Sequence, residues 1–283
     1  MNIIEWIRIV VIGIVEGVSE WLPISSTGHM LLVEAFWKTG APSVITNEFW
    51  QMFLYVIQLG AILAVVTFFF HKLNPLSPRK NPQQKRETWA LWINVIIGSL
   101  PAAVLGLLFD DTVSSYLQGP LVIATTLIVY GILFIVVENR YKQNKPSIIS
   151  LKQLDLKTVL IIGFAQVLAM IPGTSRSGIT IVVALLIGCS RYVAAEFTFF
   201  LAIPVMFGVS ALKIGKYVLG GPGFVGPQLA ILLLGMIVAY IVSVVVIRFL
   251  MNYIKKHDFK IFGYYRIALG LVVIAVTLFT SVL

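Results

Sequence analysis

The stretch Glu16-Gly17-Val18-Ser19-Glu20-Trp21-Leu22-Pro23-Ile24-Ser25-Ser26-Thr27-Gly28-His29-Met30 interrupts an apolar run that is otherwise within reach of a bilayer. An ionised side chain at the centre of a membrane helix costs roughly 2.5–3.5 kcal/mol, and a whole protein is stable by only about 5–15 kcal/mol. Two glutamates at that depth are too expensive to be idle, so they belong inside a bundle. Proline, glycine and serine also break the helix here, and irregular backbone at membrane depth is tolerated only where protein or a water-filled cavity surrounds it. A second tract of the same character, Pro172-Gly173-Thr174-Ser175-Arg176-Ser177-Gly178, contributes a lone arginine of opposite sign.

The rest of the chain agrees with a membrane reading. With 59% hydrophobic residues, 12% charged residues and a mean hydropathy of +0.96, too little polar surface is left to coat a soluble globule. Apolar segments of spanning length run over 48–70, 89–109, 119–138, 193–213, 227–249 and 263–283. The regions 3–38 and 158–190 each hold two half-length helices around a polar break and read as re-entrant. The expected fold is thus an all-α polytopic membrane protein with six transmembrane helices and two re-entrant hairpins. The start lacks a basic leader region and carries Glu5 and Arg8, so it is kept in the mature chain. The single Cys189 allows no internal disulfide and reads as a small apolar filler. A net charge of +9 does not signal nucleic acid, because the cations gather in short loops between apolar runs.

Those loops orient the chain. Lys72, Arg79, Lys80, Lys85 and Arg86 lie near 71–88, and Arg140, Lys142, Lys145, Lys152 and Lys157 near 139–157. Arg248, Lys255, Lys256 and Lys260 follow the fifth span, so all three loops are expected on the cytoplasmic side, with both termini outside. Gly13, Ser25 and Gly28 recur as Gly163, Ser175 and Gly178 at a constant offset of 150. Each half, about 1–145 and 150–283, holds one re-entrant element plus three spans, and an odd number of spans inverts the second copy. This is an inverted-topology repeat within a single membrane domain. In both halves the second limb of the broken element begins with hydroxyl residues and directs a helix N-terminus, which attracts anions, at the midplane.

The chemistry follows residue by residue. Glu16 and Glu20, four apart, stack on one helix face, where a divalent cation, Mg²⁺ or Ca²⁺, held jointly with substrate phosphates would relieve their repulsion. Gly13 and Gly17 flank them in a pattern that suits close helix packing. His29 lies close enough to Ser26 to accept its hydroxyl proton or to attack phosphorus itself. Arg176 is a fork for two phosphate oxygens. Ser25, Thr27, Ser175, Ser177 and Thr180 are candidate donors to those oxygens, and Gly28, Gly173, Thr174 and Gly178 complete the expected substrate-binding set. His71 and His257 fall in basic loops as solvated surface, while Asp110, Asp111, Glu34, Glu48 and Glu196 are placed where they could line a mouth. Pro101 and Pro204 imply kinks within spans.

The tracts 16–30 and 172–178 resemble the two signatures of the undecaprenyl-pyrophosphate phosphatases, also called bacitracin-resistance proteins, and length and span number are similar throughout. The resemblance implies a membrane enzyme of the bacterial inner membrane that removes the terminal phosphate of undecaprenyl pyrophosphate, recycling the carrier lipid for cell-wall synthesis. It places essential positions at Glu16, Glu20, Ser26, His29 and Arg176, and it suggests an outward-facing site. The expected partners are the polyprenyl pyrophosphate lipid and membrane lipids, with room for a homodimer. The competing reading is a transporter or flippase of a polyprenyl phosphate lipid, since broken helices in inverted repeats are common in transporters. A purely structural scaffold would leave the buried charges without a purpose.

Overall fold

The computed structural model describes residues 3–37, 45–117, 119–141, 143, 145–220 and 223–279. Lys142, the end of the first broken region at residue 38, and the last four residues of the 263–283 segment lie outside them, as do the side chains of Asp110 and Asp111.

Twelve α-helices are described, and among the described residues there is no strand beyond an isolated bridge between Ile148 and Cys189. The first half contains α1 (Ile3–Ser19), α2 (Ser26–Phe36), α3 (Asn47–Val56), α4 (Gln58–Phe68), α5 (Phe70–Leu73), α6 (Pro82–Leu117) and α7 (Pro120–Tyr141). The second contains α8 (Leu156–Val167), α9 (Arg176–Leu186), α10 (Arg191–Gly220), α11 (Gln228–Tyr253) and α12 (Lys260–Phe279). Six stretches are long and apolar enough to cross a bilayer: Asn47–Phe68, Pro82–Phe109, Pro120–Tyr141, Arg191–Gly220, Gln228–Tyr253 and Lys260–Phe279. They fall on the six predicted segments.

The differences are at the ends and in one break. α6 and α10 run beyond 109 and 213, where Asp110, Asp111, Ser114 and Ser115 in one and Lys213 and Lys216 in the other lower the mean hydropathy of the last turns. Both helices stay continuous through Pro101 and Pro204. It is the first span that divides, at Ile57 between α3 and α4, where no proline stands. Just after the break a Cβ on Gly60 would run into the main-chain carbonyl of Met236, so α4 and α11 approach backbone to backbone. Gly60→Ala should therefore cost about 1–3 kcal/mol through overpacking, read as a lower melting temperature in detergent with the helix content kept.

Around the two predicted breaks the halves repeat in detail. Ser25 and Ser175 cap α2 and α9, with φ of 76° and 68°, and are the only non-glycine residues at positive φ among those described. Each hydroxyl accepts from the N–H three residues on, Gly28 at 3.4 Å and Gly178 at 3.2 Å. A left-handed conformation outside glycine is strained, and its occurrence at the same place twice marks a shared construction. Helix contacts repeat too, since α1 packs on α11 as α8 packs on α6. Gly13 faces the Gly235 carbonyl and Gly163 the Gly98 carbonyl, while Gly17 faces that of Ala239, so the glycine pair of α1 serves close packing as expected. α7 and α12 pair with each other, with Gly131 and Gly263 each set against the other's carbonyl. The arrangement is compatible with two re-entrant hairpins in an inverted repeat.

Ion pairs gather the three basic loops at one end. The fully buried Glu138 at the end of α7 accepts from Arg191 Nη2 at 2.6 Å and from the Phe259 N–H at 2.9 Å. Lys72 pairs with Glu196 at 2.7 Å and Lys152 with Glu87 at 2.7 Å. Elsewhere a perimeter of exposed apolar side chains, among them Leu107, Ile132, Ile237 and Val245, suits hydrocarbon rather than water.

Candidate active site

Glu20 follows the end of α1, and its carboxylate is shared between the first residues of two short helices. Ser26 Oγ, opening α2, donates to Oε2 at 3.2 Å, and Arg176 Nη2, opening α9, donates to Oε1 at 3.0 Å. Ser177 Oγ reaches the main-chain carbonyl of Glu20 at 3.1 Å. One buried carboxylate thus joins residues about 150 positions apart, and it occupies the place between two helix N-termini where an anion is favoured. The capping serines each satisfy only one N–H of their helix, which leaves other first-turn N–H groups available to such an anion.

Arg176 is held in place by more than its ion pair. Its Nη1 donates to the Thr198 carbonyl of α10 at 3.0 Å, its head lies 5.9 Å from the Trp21 ring, and Trp21 packs edge-on against Phe199. Thr198 Oγ1 donates to Thr180 Oγ1 at 2.9 Å, so Thr180 supports the α9–α10 contact. Ser175 and Ser177 hydroxyls lie 3.3 Å apart. Thr174 is fully buried with its hydroxyl lacking a partner, Gly173 needs its φ of +86° for the turn, and Thr27 is exposed.

Glu16 lies one turn before Glu20, buried, and its Oε1 has no hydrogen-bond partner. A carboxylate oxygen left bare in a protein interior is unfavourable and implies a missing partner. No group of three or more His, Cys, Asp or Glu side chains suited to a metal occurs among the described residues. Glu16 and Glu20 therefore fit a hard divalent cation only if a ligand supplies further oxygens, as Mg²⁺ bound to phosphates commonly requires.

His29 is placed differently from the expectation that it serves Ser26 directly. The Ser26 hydroxyl is turned to Glu20, while His29 Nδ1 lies 2.7 Å from the Ser25 carbonyl and Nε2 lies 2.8 Å from Tyr265 Oη. A carbonyl can only accept, so Nδ1 carries the proton and, in the neutral ring, the lone pair sits on Nε2 facing Tyr265. The two rings are parallel, with centroids 5.6 Å apart. Tyr265 and its neighbour Arg266 were missed by sequence reasoning. Arg266 is wholly buried and binds carbonyls of both breaks. Among the other carboxylates, Glu34 accepts from Trp50, and Glu196 sits with Lys72 at the basic end, apart from this cluster.

Comparison with known proteins places this geometry. The chain matches the model of the bacitracin resistance protein BacA over residues 9–272. It is 52% identical over 273 residues to an undecaprenyl-diphosphatase of Enterococcus faecalis, covering 96% of this chain and 98% of that protein. It is 54% identical over 271 residues to one of Acetivibrio thermocellus, covering 96% and 97%, and 53% identical over 268 residues to one of Latilactobacillus sakei, covering 95% and 96%. Both breaks and every residue of the Glu20 cluster lie within the matched span, and the chain belongs to the BacA family of bacitracin resistance proteins.

Proposed function

We propose that this membrane protein is an undecaprenyl-diphosphatase, hydrolysing undecaprenyl pyrophosphate to undecaprenyl phosphate and inorganic phosphate at the Glu20–Ser26–Arg176 cluster. The observation that carries the reading is the single carboxylate held by the opening residues of α2 and α9, at 3.2 and 3.0 Å. A terminal phosphate between the same N-termini meets a hydroxyl nucleophile, a base and a guanidinium together, which is the equipment of phosphoryl transfer. Simple passage of an anion needs less.

In the first step the Ser26 oxygen bonds to the terminal phosphorus while the bridging P–O bond breaks, and that electron pair leaves with undecaprenyl phosphate. The serine proton passes to Glu20 Oε2, its present acceptor. Arg176 clamps the phosphate oxygens as charge spreads over them, with Ser175, Ser177 and the first-turn N–H groups adding donors. In the second step water attacks the phosphoserine, Glu20 returns its proton to the Ser26 oxygen, and the water's proton leaves with phosphate. Glu16 and Glu20 would hold a divalent cation, Mg²⁺ or Ca²⁺, together with substrate phosphates, and it would supply charge neutralisation. A second reading rests on the His29 tautomer: with Nδ1–H on the Ser25 carbonyl, the lone pair is on Nε2, and once the Tyr265 hydroxyl at 2.8 Å gives way Nε2 attacks phosphorus in place of Ser26.

Trapping a phosphorylated protein after a brief reaction with terminally labelled substrate decides between them. Acid-stable label on Ser26 is expected; acid-labile label on His29 moves the nucleophile there, and no covalent label means direct attack by water. Phosphate release by purified protein in detergent separates the enzyme from a flippase, which would instead move lipid between vesicle leaflets. For the cell, we propose an inner-membrane protein with its basic loops in the cytoplasm, both termini outside and the site open outward. It recycles the carrier lipid for peptidoglycan synthesis and confers bacitracin resistance. The inverted repeat, with halves at about 1–145 and 150–283, brings the two breaks together, and a homodimer is compatible with this arrangement.

A further inference from the structure

Arg266 is fully buried in α12, and no carboxylate is bonded to it among the described residues. A guanidinium at that depth is expensive, and its place is kept by main-chain acceptors and by the Tyr130 ring, whose centroid lies 5.7 Å from the guanidinium carbon. Nη1 donates to the Pro23 carbonyl at 3.3 Å, and Nη2 donates to the Gly173 and Thr174 carbonyls at 2.8 and 2.9 Å. Pro23 leads into α2 and Gly173-Thr174 lead into α9, so one side chain from a third helix fastens both breaks. A Cβ on Gly178 would lie 2.9 Å from Nη1, which sets the charge beside the first turn of α9. The position was conspicuous only as a cation inside an apolar span.

The site also needs this charge. Glu20 and Arg176 offset one another, so the cluster offers no surplus cation to a substrate that brings negative charge. Arg266 adds that cation, and because no carboxylate partners it among the described residues, its field stays available to an incoming anion. We infer that Arg266 is a positioning residue for the pyrophosphate: its fork holds the N-termini of α2 and α9 in register around the bound phosphates, and its unpartnered charge draws the anion in. The inference rests on the diphosphatase reading.

The two parts separate on substitution. Arg266→Lys keeps the charge but offers no planar fork to span both breaks, and Arg266→Met removes both. The probe for affinity is methylenediphosphonate, which resists hydrolysis; turnover is read as phosphate release from undecaprenyl pyrophosphate in detergent. Arg266→Lys should bind the probe within about threefold of wild type yet lose about 10²-fold in kcat, the scale of an ångström's misplacement. Arg266→Met should show the same kcat loss with binding weakened a further tenfold or more. A merely structural role would lower the melting temperature of both variants and leave the probe affinity of the folded fraction unchanged, which overturns the charge assignment. If Arg266→Met does not fold, Arg266→Gln replaces it as the neutral variant, wild-type probe affinity in it overturning the charge, while wild-type kcat in Arg266→Lys overturns the fork. Should wild type release no phosphate while probe binding keeps its dependence on Arg266, the proposed reaction fails and the anion site stands.

Discussion

Glu20→Gln is expected to lower kcat for phosphate release by at least about 10³-fold in protein that remains folded. Removing a positioned acid–base group alone costs about 10²–10⁴-fold, and Glu20 has two further functions at once. Its Oε2 orients the Ser26 hydroxyl and its Oε1 holds Arg176. The amide is nearly isosteric and its oxygen still accepts one hydrogen bond, so gross packing is kept. It cannot take the serine proton, and it presents an N–H₂ where the second acceptor stood. A kcat within tenfold of wild type at an unchanged melting temperature would remove Glu20 from the chemistry. In that event the His29 nucleophile, which does not touch Glu20, would become the leading account.

Much of this was legible in the chain, and the reasons are physical. A bilayer demands about 20 apolar residues per helix, so the spans announced themselves by composition, and an ionised group inside that composition is conspicuous. Glu16, Glu20 and Arg176 were found by that rule, and the offset linking Ser25 to Ser175 reappears as two left-handed caps. What stayed hidden depends on three-dimensional approach. The backbone approach of Gly60 to Met236, nearly 180 positions away, has no local signal, and neither has the break at Ile57 beside it. Arg266 obeyed the same rule of misplaced charge, yet its acceptors are carbonyls that exist only once both breaks have formed. Spacing alone also favoured His29 as the partner of Ser26. The left-handed turn at Ser25 directs Ser26 back toward Glu20 and leaves His29 over the Ser25 carbonyl, beside Tyr265. Short-range proximity in sequence was therefore a poorer guide than the N-cap geometry that both residues share.

Arg176→Ala should abolish turnover and also weaken the fold, and the two losses can be taken apart. The Arg176 side chain is only 11% exposed and that of Glu20 8%, so removing the arginine strands a carboxylate in a poorly solvated place. Breaking a buried pair by deleting one partner costs about 3–5 kcal/mol, whereas replacing both partners by well-packed neutral groups is often neutral. Arg176→Met combined with Glu20→Gln should therefore melt well above Arg176→Ala, close to wild type. Turnover should not follow. The double variant lacks the phosphate clamp, the base and the charge that ties α9 to the end of α1, and kcat/KM should remain at least about 10³-fold down, as for removal of a preorganised charge-stabilising donor. Arg176→Lys supplies the intermediate case: one ammonium has no planar fork to hold two phosphate oxygens side by side while bonding the Thr198 carbonyl, so it should keep substrate attraction while losing most of kcat. Recovery of turnover along with stability in the double variant would show that the pair braces the bundle and that the clamp lies elsewhere, with Arg266 the remaining buried guanidinium at the two breaks.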